Sequence, residues 1–466
     1  MRMARIEELE TIDGEVFLLR PSEESRAALA EAPANGQRPS YMQDQHVRLR
    51  RAMERVGSAD ANWLGLCFDV PGALDVDALE RAVTSWLRRH EVMWGTFRDD
   101  PTDPDGEMTR HAIDPGQLTV SVTPLGAHSG DEVNQVILKN FTDAVDPIDN
   151  FGYAIAGVRG TDRSTIFCGL DHCYGDGFSV LLAYMELSQL YAAETGRPYT
   201  ELPPTLGYMT YAQQERADAQ QYDIEHPAMQ FWADYAMDGA GAMDGFPMDL
   251  GIAEGERFWL VPMDYDILTG EECERLEEIA KQEGATFPSV IYASFAMAAR
   301  DLAGKSAYRF LNPVATRNTP ETLTTMGWMV NVLPIHIPVG PGDGLFEIAR
   351  GVRQKFRDAR VCEPVPALRV MEVIREVFGF SPDDTSRPAI VSYLDGRMIP
   401  GQEQWAADRF YGTTGQGYDD NVNVWINRTP TDLYVMCSVP QTPTAIENVD
   451  RFFTHASGIL RETLNR

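Results

Sequence analysis

The stretch STIFCGLDHCYGDGFSVLLAYMELSQLYAA, Ser164 to Ala193, decides the fold. Ser164 to Leu170 is a short apolar run bounded by polar residues, which predicts a buried strand. From Phe178 to Ala193 the residues Leu181, Tyr184, Leu187, Leu190 and Tyr191 recur at helical spacing, which predicts a helix. Between the two lies a tight turn, Asp171-His172-Cys173-Tyr174-Gly175-Asp176-Gly177. A strand end that turns sharply through two glycines can push a side chain into a cleft, and the helix that follows fixes the base of the turn. His172 is the group there whose unperturbed pKa, about 6.5, suits proton transfer near neutral pH. The residues alone leave three readings open: a general base, a hydrogen-bonded structural histidine, or a metal pair with Asp176. Gly175 and Gly177 disfavour the last, because they break the helix that usually aligns an i, i+4 pair. Cys173 as a nucleophile beside His172 is weaker still, since neighbours in extended chain point to opposite faces.

Working outward, strands and helices alternate in two long stretches. Asp75 can cap a helix whose apolar face is Leu79, Val83, Trp86 and Leu87, with Asp77 and Glu80 early and Arg88 and Arg89 late, as the helix dipole prefers. A passage rich in Pro and Gly, Pro203 to Leu250, mixes a polar helix (Ala212 to Tyr222) with irregular chain and carries the expected lobe boundary. Beyond it come a strand around Phe258 to Asp264, a charged helix from Glu271 to Glu283, and a helix introduced by Thr286 and Pro288. That last helix is apolar nearly all round (Val290, Ile291, Phe295, Ala298, Leu302), so it is expected to be buried. Met329 to Ile337 reads as a strand, Asn421 to Arg428 and Leu433 to Val439 as a hairpin, and the final helix starts with a capping box of Thr444 and Glu447, its stripe beginning at Ile446. The order of elements suggests an α/β chain of two layered lobes: an N-terminal lobe over residues 1–205, a linker over 206–250 and a C-terminal lobe over 251–466.

Composition narrows the function. Of 466 residues 70 are Asp or Glu and 40 are Lys or Arg, a formal charge of −30. That excludes a generic nucleic-acid binder, which needs a cationic face, and argues against a polybasic membrane coat. The length suggests about two to three domains, and 44% hydrophobic residues supply a core. Glu7, Glu8 and Glu10 fall where a secretion signal needs an apolar run, and the most apolar stretches are broken at Glu186 and closed at Arg300, short of a bilayer span. The six cysteines form no CxxC pair, which fits reduced thiols in a cytoplasm. Gly304-Lys305-Ser306 lacks the glycine of a phosphate loop, and GPGDG (Gly340 to Gly344) and GTTGQG (Gly412 to Gly417) lack both the spacing and an expected following helix. No HExxH or GxSxG occurs, so zinc proteases and ordinary serine hydrolases have no support.

His172, Asp176 and Gly177 match the HHxxxDG signature, and their neighbours keep a recognisable order. Arg88 to Phe97 (RRHEVMWGTF) resembles an RHExLRTxF element, Pro39 to Gln45 (PSYMQDQ) an SxxQ element, and Gly207 to Gln213 (GYMTYAQ) a YxDYAxW element. Gly284 to Ile337 resembles a helix, an arginine-bearing loop (NPVATRNTPE) and a GxxxNxLPLR strand. Over nearly its whole length the chain resembles the condensation-domain superfamily of acyltransferases. Its head before Ser40 and the segment Ser386 to Gly401 look most like the stand-alone polyketide-associated acyltransferases of actinobacteria. Two positions depart from the pattern: the first histidine of the signature is Asp171, and the last arginine of the LPLR element is His336.

The resemblance implies two chloramphenicol-acetyltransferase-like lobes in a V, with a central channel and His172 at its middle. It implies acyl transfer from a phosphopantetheine thioester, on coenzyme A or an acyl-carrier protein, to a hydroxyl or amine acceptor in natural-product or lipid biosynthesis. Ester formation is preferred; an amide-forming stand-alone condensation enzyme, a non-catalytic docking or scaffold protein and a modifier of a tethered substrate are the alternatives. No tightly bound cofactor or metal, no nucleic-acid partner, no stable membrane insertion and a cytoplasmic location are expected. His172 would be the general base. Asp176 would face away from substrate and pair with Arg317, the alternative being a solvated helix cap. Gly175 and Gly177 would leave room for the pantetheine arm, with the Gly177 N–H a possible oxyanion donor. Trp328 and Asn331 would line the channel floor, Trp328 being equally readable as core. An anionic donor meeting a chain of charge −30 needs a basic cluster, for which Arg48, Arg50 and Arg51, or Arg88 and Arg89, are the expected residues.

Overall fold

A computed structural model describes residues 2–55, 63–99, 108–239, 245–378, 389–399 and 401–465. The strand Arg163–Asp171 explains the first unit. Every residue after Arg163 is buried, because neighbours flank it on both sides: Trp63–Pro71 and Tyr153–Arg159 both pair with it antiparallel. A strand covered this way reads as a near-continuous apolar run, as Ser164 to Leu170 does. The seven-stranded sheet runs Arg2–Ala4, Tyr411–Thr414, Trp63–Pro71, Arg163–Asp171, Tyr153–Arg159, Gly14–Pro21, Val120–His128. Helix Gly130–Ala144 packs Ile137 and Phe141 with Trp63 and Phe167 of the sheet. Helix Val76–Arg89 forms as its sequence predicts, with Asp75 accepting from the Ala78 N–H at 2.9 Å and Leu79, Val83, Trp86 and Leu87 buried.

The first unit comprises Met1–Asp218, Ala315–Val330 and Glu403–Gly417; the second comprises Ala219–Val314, Asn331–Gln402 and Tyr418–Arg466. The first division falls between Asp218 and Ala219. Two later segments then belong to the first unit, so neither unit is one contiguous stretch. The passage 206–250 carries two helices, Tyr208–Ala219 and Pro227–Asp238.

In the second unit a five-stranded sheet runs Val391–Asp395, Asn423–Arg428, Asp432–Pro440, Phe258–Thr269, Tyr418–Asp419, and Ala307–Ala315 pairs with Val330–Pro338. The expected hairpin is there, Asn423 opposite Ser438 through Arg428 opposite Leu433. Helix Phe287–Ala303 is capped by Thr286 and ended by Gly304 at φ 63°, and Val290, Ile291, Phe295 and Ala298 have no exposed surface. Two local expectations change. The final helix is Pro443–Leu464, capped by Thr442 rather than Thr444, since Pro443 suits the first helical position and Thr442 Oγ1 accepts from the Ala445 N–H at 3.0 Å. Ile446, expected in its apolar stripe, is 38% exposed. A helix, Leu345–Ala359, does follow GPGDG, with Gly344 at its cap. The loop's own Asp343 carboxylate accepts from the Gly340 N–H. Residues 386–388 and Pro400, part of the segment Ser386 to Gly401, lie outside the described residues.

Candidate active site

The turn after the buried strand is shaped by its own carboxylates. Asp171 caps a single 3-10 turn, His172–Tyr174, by accepting from the Cys173 N–H at 2.9 Å. The buried Tyr174 hydroxyl donates to the Gly95 carbonyl at 2.9 Å. At Gly175 a Cβ would press on Ser179 Cβ at 2.7 Å, so this glycine serves close packing. Asp176 caps helix Gly177–Glu194 by accepting from the Ser179 N–H at 2.9 Å. Gly177, the first helical residue, is exposed, and a Cβ there would meet nothing within 4 Å.

His172 is partly accessible, and its ring stacks on the Trp328 indole with centroids 3.6 Å apart and planes 27° apart. Trp328 is therefore neither plain core nor free, but the platform of the histidine. Nδ1 of His172 is buried with no hydrogen-bond partner, which leaves Nε2 as the nitrogen open to a ligand. Burial pulls the imidazole pKa down to about 4, with His46 acting in the same direction and the histidine's own backbone, Asp171 and Asp176 acting against it. The ring is neutral at pH 7, the state a proton acceptor needs.

Asp176 faces Arg317 in a bidentate pair, Nη1 to Oδ2 at 2.6 Å and Nη2 to Oδ1 at 3.0 Å, with side chains 4% and 1% exposed. The carboxylate also accepts from the Met329 N–H at 3.1 Å and the Ser179 hydroxyl at 3.0 Å. Burial alone would raise the Asp176 carboxyl; the charge and hydrogen bonds of Arg317 hold it below its ordinary range. Arg317 further donates to the Gly327 carbonyl at 3.0 Å and lies over the Phe178 ring at 4.8 Å. The pair is a buried clamp between the motif and the segment 315–330, rather than a solvated cap. With both Asp176 oxygens occupied, His172 and Asp176 do not converge on a metal, and among the described residues no group of three or more His, Cys, Asp or Glu does so. Burial pushes the Cys173 thiol far above its usual range, so it is no nucleophile at neutral pH.

The other motifs frame this clamp. Tyr208 of GYMTYAQ shares a hydrogen bond of 2.7 Å with Ser40 of PSYMQDQ and donates to the Trp328 carbonyl at 3.1 Å. In RRHEVMWGTF, His90 and Arg89 both bind Glu186, and Glu91 accepts from the Met209 N–H at 3.0 Å, so this element is scaffold. Gly327, at φ 149°, lies so close to the Tyr208 ring that a Cβ would overlap it. Gly327→Ala should therefore lower stability by about 2–5 kcal/mol, from backbone strain and overpacking together. An unchanged urea unfolding midpoint would contradict that reading.

Asn331, expected beside Trp328, has another duty. It belongs to the second unit, where Nδ2 donates to the carbonyls of Cys362, Glu363 and Val365 and Oδ1 accepts from the Ala367 N–H at 3.0 Å, pinning a turn. His336 pairs with Asp238 at 2.9 Å. The expected basic clusters are neutralised within the fold: Arg48 by Asp44, Arg51 by Asp99 and Glu54, Arg89 by Glu186, while Arg88 donates to the Leu118 carbonyl. Arg50 turns inward, 3.3 Å from Asp171. His46, which the motif reading passed over, meets the turn from the same face of helix Tyr41–Arg55 as Gln43 of the SxxQ element and Arg50 of the expected basic cluster, and their spacing of i, i+3, i+7 is the signal that marks it.

The chain is similar to known proteins over nearly its whole length. The chain is 25% identical over 460 residues to acyltransferase PapA3 of Mycobacterium tuberculosis, covering 96% of this chain and 93% of that protein. It is 26% identical over 461 residues to trehalose-2-sulfate acyltransferase PapA2 of Mycobacterium bovis, covering 97% and 94%. The solved structure of PapA2 acyl transferase superposes with a TM-score of 0.89 at 23% identity over the full length of both chains. The first condensation domain of the calcium-dependent antibiotic synthetase superposes with a TM-score of 0.67 at 19% identity, covering 91% of this chain and 96% of that one. The family described as Condensation domain matches residues 59–375, which include His172, Asp176, Arg317 and Trp328, and the chain belongs to that family.

Proposed function

We propose that the chain is an acyltransferase that moves an acyl group from a phosphopantetheine thioester to a hydroxyl acceptor in lipid or natural-product assembly, with His172 as general base. The observation that carries this reading is the neutral, partly accessible imidazole with an open Nε2 at the end of a rigid strand. Nε2 takes the proton from the acceptor O–H as the oxygen attacks the thioester carbonyl. When the C–S bond breaks, the imidazolium returns that proton to the leaving thiolate, giving an ester and a free thiol. The carboxylates of Asp171 and Asp176 favour the imidazolium as it forms. Gly177 supports an approach of the pantetheine arm, since nothing stands over its Cα, and its N–H at the helix start would receive the developing oxyanion.

Asp176, Arg317, Gly175 and Trp328 then position the base, and Asn331 has no part in the chemistry. The donor is acyl-coenzyme A or an acyl-carrier protein, used as co-substrate. Relatives named for transfer to trehalose-2-sulfate make a sulfated disaccharide the first acceptor to test, beside simple alcohols and amines. Among the described residues no helix is long and apolar enough to cross a membrane; a cytoplasmic location fits the reduced, buried cysteines.

The depressed pKa of His172 fixes the pH dependence. A general base works only unprotonated, so kcat/KM should stay level from neutral pH down to about 5 and fall around the folded value near 4, not near 6.5. The unfolded chain binds a proton at His172 below about 6.5 while the folded chain does not. Its contribution to stability is therefore complete above that value and lost as pH falls toward 4. A kcat/KM profile halved near pH 6.5 would contradict the buried, neutral imidazole.

A further inference from the structure

The turn that carries His172 is gripped from one side by a single helical stripe. On helix Tyr41–Arg55, Gln43 Nε2 donates to the Cys173 carbonyl at 2.8 Å, His46 Nε2 bonds Asp171 Oδ1 at 2.8 Å, and Arg50 Nη1 lies 3.3 Å from Asp171 Oδ2. The spacing i, i+3, i+7 sets all three on one helix face. Asp171 has no exposed side-chain surface and also holds the Cys173 N–H, so one carboxylate ties the 3-10 turn to His46. His46 in turn completes a triangle of rings: edge-on to Trp328 at 5.4 Å and 65°, tilted to His172 at 6.0 Å and 52°, with Trp328 stacked on His172 at 3.6 Å. The indole that supports the base therefore has a second imidazole against it, and that imidazole is fixed by the residue immediately before the base.

Asp171 stands where the family signature has its first histidine. A carboxylate there can accept from both the turn and His46, which a histidine could not do with the same two bonds to one side chain.

We propose that His46 is a positioning residue for His172: held by Asp171, it fixes the Trp328 platform and thereby the direction of His172 Nε2. The proposal rests on His172 being the base. His46 itself forms no hydrogen bond to His172, and its effect runs through the ring contacts and the turn. Misplacing a reacting group by about 1 Å can cost on the order of 10²-fold in rate, so the loss should lie in kcat while substrate binding is little changed.

Three variants test it with the full chain, an acyl-coenzyme A donor and an alcohol acceptor found active with the wild type. His46→Phe keeps a ring against Trp328 and loses the bond to Asp171. His46→Gln keeps an N–H donor near the same place. His172→Ala reports on the base itself. The expected result for His46→Phe is a kcat lower by about 10- to 100-fold, with both KM values within about twofold and the unfolding midpoint near wild type. His46→Gln should recover most of the lost kcat. Both His46 variants within about twofold of wild-type kcat, beside an inactive His172→Ala, would overturn the positioning role and leave the base assignment standing. Parallel falls of kcat and unfolding midpoint in both variants, with no rescue by Gln, would reduce His46 to a structural residue. An active His172→Ala would overturn the base assignment, and this proposal with it.

Discussion

Replacing His172 by alanine should lower kcat by about 10²–10⁴, the range a positioned general base supplies. The loss should be close to that whole span, because the neighbouring acceptors among the described residues are already engaged, His46 by Asp171 included. Cys173 is buried with its thiol far from ionisation, Asp171 is held by His46 and Arg50, and Asp176 is occupied by Arg317. What survives in the variant is substrate orientation, which alone supplies a large part of such rate enhancements. Stability should change little, since the buried Nδ1 of the imidazole is unpartnered; removing the ring also relieves that nitrogen. Steady-state kinetics at saturating donor and acceptor, with an unfolding curve on the same preparation, give both readouts. A folded variant with wild-type kcat would remove His172 from the mechanism.

The largest effect on stability should come from breaking the clamp. Arg317→Ala leaves a carboxylate only 4% exposed beside two backbone donors, and breaking a buried pair by removing one partner typically costs about 3–5 kcal/mol. Asp176→Asn should destabilise as well: the Ser179 and Met329 N–H groups bind different oxygens of the carboxylate, so an amide can accept from only one of them, and Arg317 is left buried against a neutral partner. Arg317→Lys should not rescue, because one ammonium cannot reproduce the two parallel bonds to Oδ1 and Oδ2 while also reaching the Gly327 carbonyl. The clamp also sets activity: Gly327 is the residue before Trp328, so loosening the arginine loosens the platform under His172. An Arg317→Ala protein with a wild-type urea midpoint would mean that the pair is exchangeable with solvent.

Local signals carried much of this structure. Strand, turn and helix around Asp171 to Gly177 were legible because burial on both strand faces writes a continuous apolar run and the glycines punctuate it. Asp75 and Thr286 announced their helices because a side-chain oxygen three residues before an unpaired N–H is a local event. The return of Tyr411–Thr414 into the first sheet, between Arg2–Ala4 and Trp63–Pro71, was not legible. Four residues paired across such a distance in sequence leave no periodicity behind. The partnership of Asp176 with Arg317 came from family resemblance and not from spacing, and the structure gives it its distances. His46 stayed hidden because a single polar residue on a surface-rich helix looks like solvent-facing sequence until its partner, Asp171, is known. The arginines misled for the opposite reason: Arg48, Arg51 and Arg89 read as a cationic face, but their carboxylate partners lie too far apart in the chain, or too ordinarily near, to be distinguished from solvated charges.

The measurement that bears most directly on acyl transfer by His172 is an intact-mass experiment under single-turnover conditions. Wild-type protein is mixed with an acyl-coenzyme A or acyl-carrier donor and a panel of alcohols and amines, and enzyme, donor and acceptor masses are followed together. The account predicts an acceptor heavier by one acyl group, a donor returned as free thiol, no acyl adduct on the enzyme, and transfer slowed by about 10²–10⁴ with His172→Ala. Undiminished transfer by His172→Ala, or an acyl adduct on the protein that chases into product, would contradict it.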